Sequence, residues 1–286
     1  MQSSVATSPR WWLWPTILSL DAPAVVVLWQ RLIAGSASVE ARAPEAVVLG
    51  FSVWLSYAAD RWIEGWRLVP GSILTHRHRF HQRWRWPLLA VWAAVLFLDV
   101  LEAFRGLTRR ELGAGALLLL PVAAYLLSHQ LVHRRSPWRA PKEACVAVLL
   151  SAGAAVFAVS RPGADLMGIA APLALFALLC FSNCALISVW EDEIDRVHGQ
   201  TSLALQFGGA AALANALPWA IAAVAAAVWI AGVPHARAAA ACAAASGSLL
   251  GLVALAEARI GRVRARVLAD VALMTPAALL LLRAAG

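Results

Sequence analysis

The sequence predicts an all-α fold: a polytopic membrane helix bundle of about nine transmembrane helices, built as one integral membrane domain over residues 1–286. Three observations carry this expectation. Mean hydropathy is +0.71, well above that of a water-facing domain. Apolar runs recur at about 20 residues, the length a helix needs to cross a bilayer. Ala and Leu dominate those runs and no stretch alternates as a barrel strand does, so the backbone must satisfy itself within helices.

The spans follow in order. The first, 14–33, comes after Arg10 and the pair Trp11 and Trp12; no small-residue cleavage site stands out, so it reads as a span and not a removed signal peptide. The second, 44–64, ends in "SYAADRWIEGW". The third, 87–104, follows Trp84 and Trp86, aromatic residues suited to the membrane–water interface, as is Trp138 further on. The fourth, 112–132, opens on Gly113 and Gly115, whose small size suits close helix packing. The fifth, 142–160, starts after Pro141, where a missing N–H costs nothing. The sixth, 166–191, ends abruptly in "EDEID". The seventh, 209–232, and the ninth, 267–283, carry Pro218 and Pro276, which are expected to kink them. The eighth, 236–256, carries Gly247 and Gly251 for close packing.

Net charge is +8 and the cations are almost all arginine. In such a chain positive charge first means topology and lipid headgroups. No basic stretch stands outside a membrane-flanking loop, so membrane lipid is expected as a partner and nucleic acid is not; nothing points to a protein partner. Arg77, Arg79, Arg83 and Arg85, then Arg134, Arg135, Arg139 and Lys142, then Arg259, Arg262, Arg264 and Arg266 all fall on one side if the N-terminus is cytoplasmic. Arg105, Arg109 and Arg110 oppose them, so the balance favours N-terminus inside, in a bacterial-type cytoplasmic membrane. Cys145, Cys180, Cys184 and Cys242 lie within apolar runs without CxxC spacing, so neither a disulfide framework nor a zinc site is indicated.

Acidic residues at span ends are few, so each is informative. Asp60 and Glu64 close the second span four residues apart, on one helix face. Glu191 and Asp195 repeat that spacing at the end of the sixth, on the same expected side. Either pair alone reads as an interfacial ion pair with its neighbouring Arg61 or Arg196. Two facing pairs repel unless a cation lies between them, and hard oxygen ligands suit Mg²⁺, which keeps waters and bridges to phosphates. Arg61, Arg77, Arg79, Arg196 and Lys142 crowd the same region, and arginine forks bind phosphate oxygens. Asp192 and Glu193 lie off the shared face and read as solvated. The histidines of "THRHRFHQRWRW", His76, His78 and His81, fit a lid or a headgroup patch better than a zinc site.

These residues resemble the UbiA superfamily of intramembrane prenyltransferases. The first motif is similar to the family's Asn, Asp and Asp at four-residue intervals, here Ser56, Asp60 and Glu64; the second is similar to Asp-x-x-x-Asp-x-x-x-Gly, here Glu191, Asp195 and Gly199. The departures are Ser56 for Asn and glutamate at 64 and 191, one methylene longer than aspartate. The resemblance implies nine transmembrane helices, motifs at 56–64 and 191–199, and Mg²⁺ held by Asp60, Glu64, Glu191 and Asp195 as the catalytic set. It implies a diphosphate contacted by Ser56, Arg61, Arg77, Arg79, Lys142 and Arg196. The substrates implied are a prenyl diphosphate and a lipophilic acceptor, aromatic or other. Trp54, Tyr57 and Trp190 are candidate rings for an allylic cation. Two alternatives stay open: a terpene cyclase of the same type acting without acceptor, and a non-catalytic scaffold or transporter.

Overall fold

The computed structural model describes residues 9–67, 75–128 and 141–285. After a 3₁₀ turn, Trp11–Leu13, come α1 (Trp14–Ile17), α2 (Asp21–Ser36), α3 (Ala43–Arg67), α4 (His76–Arg83), α5 (Arg85–Gly106) and α6 (Arg109–Leu127). Then follow α7 (Lys142–Ser160), α8 (Leu166–Trp190), α9 (Asp192–Val197), α10 (Leu203–Gln206), α11 (Ala210–Ile230), α12 (Arg237–Ile260), α13 (Arg262–Ala272) and α14 (Thr275–Ala285). No strand occurs among the described residues. Arg134, Arg135, Arg139, Trp138 and the end of the fourth expected span lie outside them.

Among the described residues six helices, α5, α6, α7, α8, α11 and α12, are long and apolar enough to cross a membrane, or seven if the bent pair of 11–17 and α2 counts as one span. The chain is an integral, multi-pass membrane protein. The expected count of about nine is not reached by length and composition. α3 has the length, at 25 residues, but carries Glu45, Asp60, Arg61 and Glu64. The last expected span is two pieces of 11 residues each, α13 and α14. Pro276 does not kink a helix; it stands at the second residue of α14, just past the break, where its missing N–H is harmless. Pro218 does lie inside α11.

α8 runs through the middle of the bundle and packs against α2, α7, α11, α12 and α13. Trp29 of α2 stacks on Phe176 of α8 at 4.9 Å between ring centroids. Gly247 of α12 lets α11 come close: a Cβ there would stand 2.8 Å from the Pro218 carbonyl oxygen. α5 packs on α3 and α6 on α7, while α5 and α6 make little contact with each other. Their outer faces are greasy and bare, with Phe104 73% exposed, as lipid-facing helices require.

Two expected spans are broken, and both breaks are stitched by an indole. The first turns by 74° between Ile17 and Asp21, with Ser19 at φ 56°. The carbonyl freed at Leu18 accepts from Trp54 Nε1 at 2.9 Å. The last breaks at Leu273, whose carbonyl accepts from Trp29 Nε1 at 2.9 Å. An unpaired carbonyl in a bilayer is costly, so these bonds hold the breaks open. Trp29→Phe keeps the stack on Phe176 and loses the donor. It is expected to lower stability by about 1–3 kcal/mol, read as a fall in thermal unfolding temperature in detergent; an unchanged temperature would refute the role.

At the end of the bundle away from the acidic motifs, four charges interlock. Glu45 and Glu111 are both buried. Arg42 reaches Glu45 at 2.9 Å and also Glu111. Arg161 bonds Glu45 and, at 3.3 Å, Glu111. Glu111 also closes a capping box with Thr108 at the start of α6.

Candidate active site

Asp60, Glu64, Glu191 and Asp195 all line one cavity of about 740 Å³. It is walled by α3, α5, α6, α7 and α8, with contributions from α2, α4 and α13. Its wall on α3 runs from Val48 to Glu64, roughly 24 Å at the rise of a helix. The acidic end is polar; the remainder is lined mostly by Leu, Val and Ala, with Tyr57, Trp92, Tyr125 and Phe157.

Local backbone explains how the two motifs meet. Glu191 caps α8 and Asp195 lies in α9, yet Asp195 N donates to Glu191 O at 2.8 Å, so four-residue helical spacing survives the junction. Gly199 then takes φ 64°, a left-handed turn that glycine adopts without strain. The turn swings Gln200 back: its N–H donates to Asp195 O at 2.8 Å. Gln200 Nε2 donates to Glu64 Oε1 at 2.6 Å, and its Oε1 accepts from Lys142 Nζ at 3.3 Å. Lys142 Nζ stands 3.6 Å from Asp195. One carboxamide thus splices the first motif to the second.

The short helix α4 closes over this end. Thr75 caps it, accepting from His78 N at 3.4 Å. Arg77 forks Glu191 at 3.2 and 2.8 Å, and Arg266 of α13 bonds the same carboxylate. His78 Nε2 lies 3.0 Å from Glu64 Oε2, and its Nδ1 is 2.7 Å from the Thr75 hydroxyl. Burial pushes the His78 imidazole below its ordinary range, although Glu64 pulls the other way. A neutral ring then donates from Nε2 to Glu64 and accepts at Nδ1 from Thr75. Burial lowers His81 likewise, and its Nδ1 meets Arg77 O at 3.0 Å. Among the described residues no three acidic, imidazole or thiol groups gather as a metal would require, the motif carboxylates included; the histidines His78 and His81 of α4 bond Glu64, Thr75 and the Arg77 carbonyl instead.

Of the expected diphosphate contacts, Arg61, Arg77, Lys142 and Ser56 lie on the cavity wall. Ser56 Oγ donates to Ser52 O at 2.9 Å. Arg79 and Arg196 are exposed and off that wall, Arg196 lying 3.9 Å from Asp192. Tyr57 faces the cavity, whereas Trp54 and Trp190 do not line it. Arg266, Gln200 and His78 are site residues that motif spacing did not reveal.

The donors suit a hard dication in kind: four carboxylates on one wall. Four cations, Arg61, Arg77, Lys142 and Arg266, share that wall and hold Glu64, Glu191 and Asp195. The Nε atoms of Arg77 and Arg266 are buried with no hydrogen-bond partner among the described residues. Orphaned guanidinium donors on a cavity wall fit an anion.

Compared with solved structures, the chain matches the apo structure of a UbiA homolog from Aeropyrum pernix K1, with TM-score 0.59 and 20% identity, over 92% of this chain and 98% of that one. The fold is UbiA-like. Comparisons with models of known families and with curated proteins find no match. At this identity the likeness speaks for architecture, and the chemistry rests on the side chains.

Proposed function

We propose that the chain is a member of the UbiA superfamily of intramembrane prenyltransferases, with nine membrane segments once α3, the α1–α2 pair and the α13–α14 pair are each counted as one. It moves an isoprenoid group from a prenyl diphosphate to a lipophilic acceptor. The N-terminus and both motifs face the cytoplasm. The observation that carries this reading is the junction of two carboxylate pairs with two orphaned arginine donors at the mouth of a long apolar cavity.

The chemistry follows from the residues. Arg77 and Arg266 turn from Glu191 to diphosphate oxygens, which their unpaired Nε–H groups favour. Glu191 is then released, and Asp60, Glu64, Glu191 and Asp195 can hold Mg²⁺. An Mg²⁺ ion held by these carboxylates would supply charge neutralisation for the departing diphosphate. Lys142 and Arg61 add fixed positive charge where the transition state develops negative charge. The apolar wall takes the isoprenoid tail and keeps water from the allylic cation, and Tyr57, Tyr125 and Phe157 offer ring faces to it. The loose contact between α5 and α6 gives the tail a way to lipid.

Purified chain in lipid nanodiscs should turn over farnesyl or geranylgeranyl diphosphate with aromatic acceptors in Mg²⁺ and lose that turnover in chelator. A cyclic hydrocarbon or alcohol released without acceptor would favour the cyclase instead. Absence of any Mg²⁺-dependent binding of either diphosphate would sink both.

A further inference from the structure

The short helix α4 has two faces, and only the inner one serves the acidic mouth. Arg77, His78 and His81 are buried, held on Glu191, on Glu64 and on the Arg77 carbonyl. Arg79 and Arg83 stand four residues apart, so they share one helical face, and both are exposed on the side away from the cavity. A single residue, Trp84, separates α4 from α5, a helix apolar enough to cross the membrane. So short a tether keeps α4 at the level where the chain enters hydrocarbon.

Indoles frame this outer face on both flanks. Trp66, Trp84 and Trp86 are exposed. The Arg85 guanidinium lies 5.4 Å over the Trp66 ring and 5.8 Å over the Trp86 ring. Trp62 Nε1 donates to Arg85 O at 3.0 Å and fixes the turn that carries it. On the other flank Trp14 meets Phe80 of α4 edge to face at 5.7 Å. The charge is one-sided too: between Glu64 and Asp99 the chain has five arginines and no carboxylate.

We propose that the outer face of α4, Arg79 and Arg83 with Arg85 in its indole frame, docks on the phosphates of anionic phospholipid headgroups. Guanidinium forks match phosphate oxygens, and cations at this level are drawn to an anionic leaflet. The exposed indoles on both flanks favour a lipid surface over a soluble anion or an acidic protein, because indoles settle at the membrane–water interface. The bilayer then fastens the outer face of α4 while Glu191 and Glu64 fasten the inner one. Leaflet charge thereby sets how firmly the mouth is covered. What lies under the cover rests on the diphosphate reading above; the docking surface does not.

The test is amide hydrogen exchange of α4 in the full chain, without substrate, in phosphatidylcholine nanodiscs with and without phosphatidylglycerol. Wild-type α4 should exchange about tenfold more slowly with the anionic lipid, since each cation near such a surface contributes roughly a fivefold factor. Arg79→Gln with Arg83→Gln should abolish that difference. Arg109→Gln with Arg110→Gln, the same charge change on exposed residues at the opposite end of the bundle, should keep it. Equal exchange in the two lipids overturns the proposal. So does a difference that survives the first pair of substitutions or disappears with the second. Inorganic phosphate added to phosphatidylcholine discs should leave α4 unchanged; slowing to the same extent would assign the face to a soluble anion and overturn the lipid. If the α4 variant does not fold, wild type in high salt decides: screening should erase the lipid difference, and a difference that persists overturns the proposal. None of these measurements needs a bound diphosphate, so failure here leaves the diphosphate reading standing, and the reverse holds as well.

Discussion

Asparagine in place of Asp60 or Asp195 should lower Mg²⁺-dependent turnover of a prenyl diphosphate by on the order of 10³-fold. Both residues line the mouth of the cavity. Asparagine keeps the size and removes the charge, so the effect falls on metal and diphosphate chemistry and spares the helix. These two aspartates are better probes than the glutamates. Glu64 binds His78 and Gln200, and Glu191 binds Arg77, so losing either also unties α4. In Asp195→Asn the contact with Lys142 weakens, and Gln200 still bridges Lys142 to Glu64. The measurement is turnover with and without Mg²⁺ beside thermal unfolding in the same detergent. Full activity in both variants, with the fold intact, would refute the metal–diphosphate mechanism.

Arg161→Ala should have the largest effect on stability, about 3–5 kcal/mol. Arg161 bonds both Glu45 and Glu111, and it donates to the Glu40 carbonyl at the same end. Removing it leaves two buried carboxylates to Arg42 alone. An uncompensated buried charge costs more than the pair contributes, which is why removing one member is worse than replacing the whole set. Thermal unfolding reads the loss. The triple variant Arg161→Leu, Glu45→Gln, Glu111→Gln should recover part of it, because no stranded charge remains. A single variant as stable as wild type would show the network to be inert.

Much of this was legible in the sequence because hydropathy reports span length and four-residue spacing reports a shared face. The acidic pairs could be read at 60, 64, 191 and 195 for that reason. The breaks could not. Ser19 and Leu273 sit inside runs whose length and overall hydropathy suffice for one span each, and hydropathy does not register a turn whose carbonyls are met by a distant Trp29 or Trp54. The charges of α3 hid it from a strict hydropathy test although its length is ample. Gln200 became a site residue only through the turn at Gly199. Arg266 looked like one more topology charge; its spacing of four from Asp270 was the available signal. Asp21, Asp99 and Asp270 inside expected spans were further signals, since carboxyl groups there are expensive. Asp99, held by Ser52 at 2.8 Å, also lines the cavity.

The two indole stitches also bear on how the chain is assembled. Leu18 receives its hydrogen bond from Trp54 on α3, and Leu273 receives its own from Trp29 on α2. During insertion the first segment therefore waits for the second before its backbone is complete. The last segment waits for nothing, because Trp29 has been in place since the beginning. The ends of the chain are thus joined late, by a donor made early. A chain stopped before Leu273 leaves the Trp29 N–H in the core without the carbonyl that meets it.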